Sequence, residues 1–237
     1  RYSRRKFLGR VGGVAAALAI PTLIPGSALG LDGAIAPSNR TVLGAIGIRG
    51  RGREDLGHFL QNRDVQFVAI SDVQKVQREA IKQMADEFYR NQDCAMYGDM
   101  HELLARPDID AVMIAVPDHW HALTYMDAAR AGKDIYGEKP LSLTIGQGRQ
   151  MSDTIRRCGR VFQTGSMQRS DRNFRYACEL VRNGRIGKVH TVEVGLPGCG
   201  PCNNPAVEPV PEWFDYDRWL GPAPWAPYTE KRCHFQF

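Results

Sequence analysis

Short apolar runs alternate with longer amphipathic segments along the middle of the chain. The runs lack polar alternation and end at turn residues, which is typical of strands covered on both faces of a parallel sheet. The longer segments place apolar residues at helical spacing. The predicted strands are 41–46, 66–71, 95–97, 111–116, 134–136 and 161–163. The predicted helices are 54–61, 73–89, a short one capped by Asp99, one from Asp118 to Gly132, and 144–158.

This order of elements predicts an α/β fold, a Rossmann-like doubly wound parallel sheet. The pattern changes near residue 170. A helix at 174–182 is followed by 188–196, where side chains alternate with a period of two. This alternation predicts the first strand of a mainly antiparallel sheet in an α+β domain. Residues 197–227, rich in proline and glycine and carrying three tryptophans, indicate an extended connection held by aromatic side chains.

A glycine-rich loop follows the first predicted strand. It consists of Gly47, Ile48, Arg49, Gly50, Arg51 and Gly52. A dinucleotide-binding fold needs glycines here for a tight turn, for close backbone approach to the pyrophosphate and for packing of the helix against the strand. Gly47 and Gly52 fit the first and third of these places, whereas Arg49 stands at the second. The loop therefore predicts a cofactor-binding turn with an incomplete glycine motif.

Asp72 follows the second predicted strand, twenty residues after Gly52. An acidic side chain at this place accepts hydrogen bonds from the ribose hydroxyls in the adenosine half of a dinucleotide. Because a carboxylate disfavours a 2′-phosphate, Asp72 favours NAD over NADP. NADP is the alternative cofactor, since Arg49, Arg51 or Lys75 could bind its 2′-phosphate. Asp72 could also cap the following helix.

The stretch 111–141 contains a strand, a helix and a second strand, with one polar motif after each strand. The motifs are Pro117, Asp118, His119, Trp120 and His121 after the first strand, and Glu138, Lys139 and Pro140 after the second. This arrangement resembles the Gfo/Idh/MocA family of NAD(P)-dependent sugar oxidoreductases, named for glucose-fructose oxidoreductase and inositol dehydrogenase. The resemblance extends from about Thr41 to the last residue.

The resemblance implies roles for individual residues. Lys139 is expected to be catalytic and to contact the substrate hydroxyl or carbonyl at the reacting carbon, where a fixed positive charge stabilises an alkoxide-like transition state. Pro117 and Asp118 would border the cofactor, together with His121 at the helix N-terminus. Glu138 would lie near the nicotinamide ribose.

Simpler interpretations stay open for some of these residues. Glu138 could be a solvated carboxylate. Arg169 follows a predicted strand and could hold a substrate hydroxyl or a cofactor phosphate, or form a surface salt bridge. Asp118, His119 and His121 resemble part of a zinc site, but the two histidines diverge at a helix start and no third ligand is evident. We therefore expect no metal.

The N-terminal segment predicts export. Residues 3–8, with Arg4 and Arg5, resemble a twin-arginine signal and precede an uncharged segment rich in alanine, glycine and leucine. A transmembrane helix is the alternative, but Pro21 and Pro25 leave about ten uninterrupted apolar residues, too few for a hydrocarbon core of about 30 Å. We expect the twin-arginine export machinery as a partner and a periplasmic or otherwise exported location.

The chain has 237 residues, 43% of them hydrophobic, and a formal net charge of +5. Five basic residues lie in the predicted signal, so the remainder is nearly neutral and predicts no nucleic-acid partner. The predicted domains are a signal peptide and linker in 1–36, an NAD(P)-binding Rossmann domain in 40–168, and the start of a C-terminal substrate and oligomerisation domain in 169–237. The resemblance implies a homo-oligomer formed through the complete C-terminal sheet.

The resemblance also implies a general acid/base histidine in the second domain. No such motif occurs before Phe237, and His190 and His234 lie in other contexts. The chain is therefore expected to be C-terminally truncated, able to bind a dinucleotide but inactive as a fragment. Cys199 and Cys202 could form a disulfide; redox catalysis is disfavoured because the Asn-Asn-Pro that follows cannot start a helix.

These features predict an exported NAD(P)-dependent oxidoreductase that acts on a sugar, cyclitol or sugar derivative by hydride transfer. Because no pool of NAD exists outside the cell, the cofactor would travel with the protein and be reoxidised in place. Redox-neutral cycles follow: oxidation of one sugar with reduction of another, epimerisation, or transient 3-keto chemistry that breaks a glycosidic bond. A non-catalytic dinucleotide-binding sensor or scaffold protein is the alternative from another class, and a cytoplasmic dehydrogenase is a third.

Overall fold

The computed structural model describes residues 25–31, 33–196, 198 and 206–233. The chain divides into two compact units, residues 1–40 and 41–237. Most of the predicted signal peptide lies outside the described residues, and so do Cys199 and Cys202 of the disulfide prediction. Within the part of the chain that the structure describes, no helix is long and apolar enough to cross a membrane.

The second unit is built on a parallel sheet of six strands in the order β3-β2-β1-β4-β5-β6. Each pair of neighbours is parallel, which confirms the predicted doubly wound fold. The strands are β1 Thr41–Ile46, β2 Val65–Ser71, β3 Ala95–Tyr97, β4 Ala111–Ile114, β5 Asp134–Gly137 and β6 Phe162–Thr164.

Helices connect the strands and continue after them. They are α1 Arg51–Leu60, α2 Lys75–Tyr89, α3 Met100–Leu104, α4 His121–Arg130, α5 Ile145–Cys158, α6 Arg172–Arg182, α7 Tyr216–Leu220 and α8 Glu230–Cys233. Several begin where a side chain caps the backbone, as predicted for Asp99, whose carboxylate accepts from the His101 N–H at 2.8 Å. The 3₁₀ turn Met167–Ser170 follows β6.

Successive side chains of β1 point to opposite faces of the sheet and enter two separate cores. Leu43 and Ala45 pack with α1 and α2, whereas Ile46 packs with α4 and α5 on the other face. Gly44 is required on that second face, because a Cβ there would lie 2.9 Å from Leu103 Cδ2. Burial on both faces explains why the strand sequences read as uninterrupted apolar runs.

The start of α4 differs from the prediction. Asp118 does not cap the helix with its side chain; Trp120 occupies the N-cap without a side-chain cap. The cause is a turn after β4, in which the Trp120 N–H donates to the Pro117 carbonyl at 2.9 Å and delays the helix. The predicted stop at Gly132 is confirmed, since its φ of 77° lies in the left-handed region that favours glycine.

The predicted strand at 188–196 is wrong. These residues are exposed and form no strand, because none of the described residues supplies a neighbour for their backbone N–H and C=O groups. Alternation of side chains predicts which faces a strand would present, but it does not supply the pairing partner.

The segment 206–233 returns to the sheet and packs against its carboxyl edge. A buried cluster holds it, made of Phe214, Tyr216, Trp219, Leu220, Tyr228 and Cys233. In the described part the prediction of aromatic anchoring holds for Trp213 and Trp219, whereas Trp225 is 77% exposed and Tyr216–Leu220 form the helix α7 instead of an extended segment. We call residues 213–221 the strap, because they run across the carboxyl edge of the sheet between two of its loops.

Candidate functional site

The glycine-rich loop lies at the carboxyl end of β1, against the end of β4. Gly47 has a φ of 71°, and a Cβ there would lie 2.6 Å from Val116 Cγ1. Gly52 lies in the first turn of α1, where a Cβ would lie 2.9 Å from the Cβ of Ala115. Both glycines therefore allow close approach of the loop and α1 to β4, as the sequence predicted. Gly50, the residue before α1, also has a positive φ of 51°, a backbone conformation that favours glycine.

Asp72 holds this loop to the end of β2. One of its carboxylate oxygens accepts from the Ile48 N–H at 2.9 Å, and the other accepts from the Gln74 N–H at 2.8 Å. Burial raises the pKa of Asp72, while these two backbone donors and the nearby Arg78 and Arg49 act to lower it. Asp72 does not cap α2, since that helix begins at Lys75 with Gln74 as its N-cap.

A cavity of about 430 Å³ lies beside these groups, at the carboxyl ends of β1, β2 and β4. This is the topological switch point of the sheet, because the connection from β1 runs to β2 on one side and the connection from β4 runs to β5 on the other; open α/β folds bind their ligands there. The predicted cofactor residues that line the cavity are Gly47, Arg49, Gly50, Arg51, Asp72 and Pro117.

Other predicted site residues lie outside the cavity lining. They are Ile48, Gly52, Asp118, His121, Glu138, Lys139 and Arg169. Ile48 is fully buried in the core, and only its N–H faces Asp72. Arg169 is exposed in the 3₁₀ turn after β6.

The cavity is also lined by residues from two regions that sequence reasoning missed. Gly98, Asp99, Met100 and His101 come from the end of β3 and the start of α3, and Arg218, Trp219 and Cys233 come from the downstream segment. The position of β3 beside β2 could have indicated the first group. No local signal indicated the second, because its docking depends on contacts between residues about a hundred positions apart.

His121 is buried at the first residue of α4 and connects this helix to the loop after β5. Its Nδ1 lies in hydrogen-bond contact with the Pro140 carbonyl, and its ring stacks on Tyr125 at 5.4 Å. Burial lowers the pKa of His121, which favours the neutral ring. These contacts join the start of α4 to the loop after β5, while the place of His121 beside a cofactor stays a prediction.

Glu138, Lys139 and Pro140 form the loop after β5. Glu138 is 5% exposed, so the solvated interpretation is wrong, whereas Lys139 is exposed. The Tyr125 hydroxyl donates to the Glu138 carbonyl at 2.6 Å. Gly165 must lack a side chain, since a Cβ there would lie 2.2 Å from Glu138 Oε1. The loop is therefore fixed at Glu138 while the lysine beside it reaches solvent.

The Glu138 carboxyl faces a second buried carboxyl, that of Asp55 in α1, and the Arg51 guanidinium contacts both. Asp55 Oδ2, Glu138 Oε1 and Arg51 Nε lack hydrogen-bond partners. Burial, and then the Asp55 charge, raise the pKa of Glu138. A proton on Glu138 that is donated to Asp55 would satisfy both orphaned oxygens.

Metal ligation finds no support in the part of the chain that the structure describes, which contains no group of three or more His, Cys, Asp and Glu side chains able to hold an ion. His119 instead has its Nε2 at 2.8 Å from the Trp219 carbonyl.

Two family models match the sequence. The Gfo/Idh/MocA oxidoreductase family, NAD-binding Rossmann fold, matches residues 41–166, which is more than half of the chain. The chain belongs to this family. The model of its C-terminal alpha/beta domain matches residues 199–237.

Curated relatives include the myo-inositol 2-dehydrogenase of Thermotoga maritima, 28% identical over 74% of this chain and 49% of the relative. The alpha-N-acetylgalactosaminidase of Shewanella oneidensis is 29% identical over 78% of this chain and 44% of the relative. This Gfo/Idh/MocA chain thus spans about half the length of the curated relatives it matches.

Solved structures of this family share the fold. Myo-inositol 2-dehydrogenase from Lactobacillus plantarum aligns with a TM-score of 0.57 and 28% identity over 63% of this chain and 43% of that one. Scyllo-inositol dehydrogenase from Lactobacillus casei, solved with NAD(H) and scyllo-inositol, aligns with a TM-score of 0.56 and 26% identity over 62% and 42%. The comparisons establish an NAD-binding Rossmann domain.

The paired carboxyls predict a pH-dependent stability difference for Glu138→Gln. Since folding raises the pKa of Glu138, its protonated form stabilises the folded state, and wild-type protein loses this contribution as pH rises from the ordinary value of 4.5 through the raised pKa. Glutamine keeps an N–H donor toward Asp55 at every pH. Urea unfolding from pH 4 to 8 should show the variant gaining about 1 kcal/mol or more relative to wild type.

Glu54→Gln is the matched control, because Glu54 contacts the same Arg51 but has a side chain that is 68% exposed. Its free energy of unfolding relative to wild type should show no comparable rise. If the free energies of unfolding of Glu138→Gln and Glu54→Gln changed with pH in the same way, this would contradict a proton that Glu138 shares with Asp55.

Proposed function

We propose that the full-length protein is an NAD(P)-dependent oxidoreductase that acts on a sugar, cyclitol or sugar derivative by hydride transfer. The observation that carries this proposal is the cavity at the carboxyl ends of β1, β2 and β4, lined by the glycine loop and Asp72. It lies within the part of the chain that matches the family's NAD-binding model.

The described residues fit a dinucleotide. The N-terminus of α1, with Gly50 as its N-cap, suits the pyrophosphate, and no Cβ at Gly47 blocks the approach of the chain to β4. Asp72 lines the cavity where the adenosine ribose would bind, which supports NAD as the cofactor. NADP is the alternative, because Arg49 and Arg51 also line the cavity and could bind its 2′-phosphate. Bound nicotinamide would supply the hydride acceptor or donor.

Lys139 is the proposed catalytic residue. Its neighbour Glu138 is fixed by Tyr125 and packed against Gly165, so the lysine projects from a defined loop at the carboxyl edge of the sheet. A positive charge there would stabilise negative charge developing on a substrate oxygen. Relatives named as myo-inositol and scyllo-inositol dehydrogenases support a cyclitol or sugar as the substrate class. Arg169, exposed in the 3₁₀ turn after β6, is a proposed substrate contact.

A redox-neutral cycle is the second candidate. The alpha-N-acetylgalactosaminidase relative matches 78% of this chain, and a further relative is named as a glycosyl hydrolase family 109 protein. Oxidation of a sugar hydroxyl to a ketone would acidify the neighbouring C–H, so that loss of this proton expels the aglycone as an alcohol. Addition of water to the resulting double bond and return of the same hydride to the ketone would complete a net hydrolysis and leave the cofactor unchanged. Such chemistry suits an exported protein that carries its own NAD.

Lys139→Met should lower kcat by about 100- to 1000-fold, the typical effect of losing one group that stabilises an oxyanion. The affinity for NADH should stay within about twofold. Steady-state kinetics on the full-length protein, with the best substrate of a cyclitol and sugar panel, measures the first value, and fluorescence titration measures the second. Lys188→Met, at an exposed lysine away from the cavity, should leave both unchanged. An unchanged kcat in Lys139→Met would remove Lys139 from the mechanism.

The carried-cofactor proposal predicts near-stoichiometric nucleotide in the full-length protein purified without added NAD. Mass spectrometry of small molecules released by denaturation measures its amount and separates NAD from NADP. Predominant NADP would overturn the selectivity assigned to Asp72. An empty protein that also fails to bind either nucleotide on titration would favour the non-catalytic alternative.

Export through the twin-arginine pathway predicts that Arg4→Lys together with Arg5→Lys retains the protein in the cytoplasm. Fractionation of a bacterial host with an intact pathway measures the location. Arg10→Lys, which changes a basic residue after the motif, should still be exported. If the wild-type protein and both variants all stay in the cytoplasm, the export proposal would be wrong and a cytoplasmic dehydrogenase would be indicated.

A further inference from the structure

The strap contacts three loops at the carboxyl edge of the sheet, those after β2, β3 and β4. On the β2 side, the Lys75 N–H donates to the Trp213 carbonyl at 2.8 Å and the Asp215 N–H donates to the Val73 carbonyl at 3.0 Å. Gln74 and Phe214 form an antiparallel bridge between these bonds. The first residues of the strap thus pair with the backbone of the loop after β2 in an antiparallel arrangement.

On the β4 side, the loop before α4 binds the other end of the strap. The Trp120 indole N–H lies 3.0 Å from both the Arg218 and Trp219 carbonyls. His119 Nε2 lies 2.8 Å from the Trp219 carbonyl, and the two rings meet edge to face at 5.3 Å. The Trp120 ring also occupies the space beside Gly221, where a Cβ would lie 2.1 Å from Trp120 Cζ2.

A third contact joins the strap to the loop after β3, where an Arg218 guanidinium nitrogen lies 3.4 Å from Asp99 Oδ2. Arg218 and Trp219 line the cavity together with Asp72 and the glycine loop. The strap is therefore the outer wall of the cavity on the side where the adenosine half of a dinucleotide would bind.

We propose that the strap and its Trp120 anchor form a clasp over the adenosine half of the cofactor and set its rate of release. This inference rests on the proposed function, because it takes a dinucleotide as the ligand. A dinucleotide enclosed between the sheet edge and the strap leaves only after the strap detaches from the loop before α4 or from the loop after β2. The clasp supplies a physical means of carrying the cofactor, and it assigns the Pro-Asp-His-Trp-His motif a part in retention.

The test measures release of NADH from the full-length protein by stopped-flow fluorescence, with excess NAD as the displacing ligand. Trp120→Phe keeps an aromatic ring but removes the indole donor, and it should raise the release rate about tenfold. Gly221→Ala places a methyl group against the Trp120 ring and should raise it at least as much. Trp225→Phe, the same exchange at a tryptophan that is 77% exposed and outside the strap, should change nothing.

Hydrogen exchange on the wild-type protein gives a second readout that needs no variant. The Lys75 and Asp215 amides, which bind the strap to the loop after β2, should exchange more slowly when NADH is bound. Release rates that stay unchanged in both Trp120→Phe and Gly221→Ala, or exchange at these amides that ignores NADH, would overturn the clasp while leaving the proposed function intact. A wild-type protein that binds no dinucleotide would overturn the proposed function itself.

Discussion

Parallel pairing of β1 with both β2 and β4 is the constraint on which the site depends. Because the strands all run in one direction, their carboxyl ends and following loops meet at one edge of the sheet. The glycine loop, Asp72 and the loop after β5 are far apart in sequence, yet each follows a strand and therefore reaches this edge. Close contact of Gly47 and Gly52 with the end of β4 is a local requirement of the same geometry.

The sequence predicted the parts of the fold that depend on local pattern. β1 and β3 have the predicted bounds, and the other strands differ by only a few residues, because burial on both faces leaves a clear apolar run. It also located the glycine loop and Asp72 in the cavity lining, since a strand end followed by glycine or an acidic residue is a local feature. Asp118 failed as a cap because the turn from Pro117 to Trp120 competes with the helix start.

Features that depend on distant contacts could not be predicted in the same way. The strap binds residues in the loops after β2 and β4 that precede it by roughly a hundred positions or more, and its tryptophans indicated only that it would be anchored. The pairing of Asp55 with Glu138 depends on the angle between α1 and β5, which periodicity does not specify. The alternation at 188–196 describes side-chain faces but contains no information about a neighbouring strand.

Among the described residues, the adenosine side of the proposed active site is enclosed by protein, whereas the side near Lys139 is open to solvent. The adenosine side is enclosed by three loops and the strap, with buried aromatic packing behind it. The side near Lys139 has a fixed base, formed by Glu138, Tyr125 and His121, but the lysine itself is exposed. Catalysis by a lysine in water would be weak, because solvent screens its charge and competes for its donors. In the proposed mechanism Lys139 would therefore act most strongly where packed protein excludes water from its ammonium group.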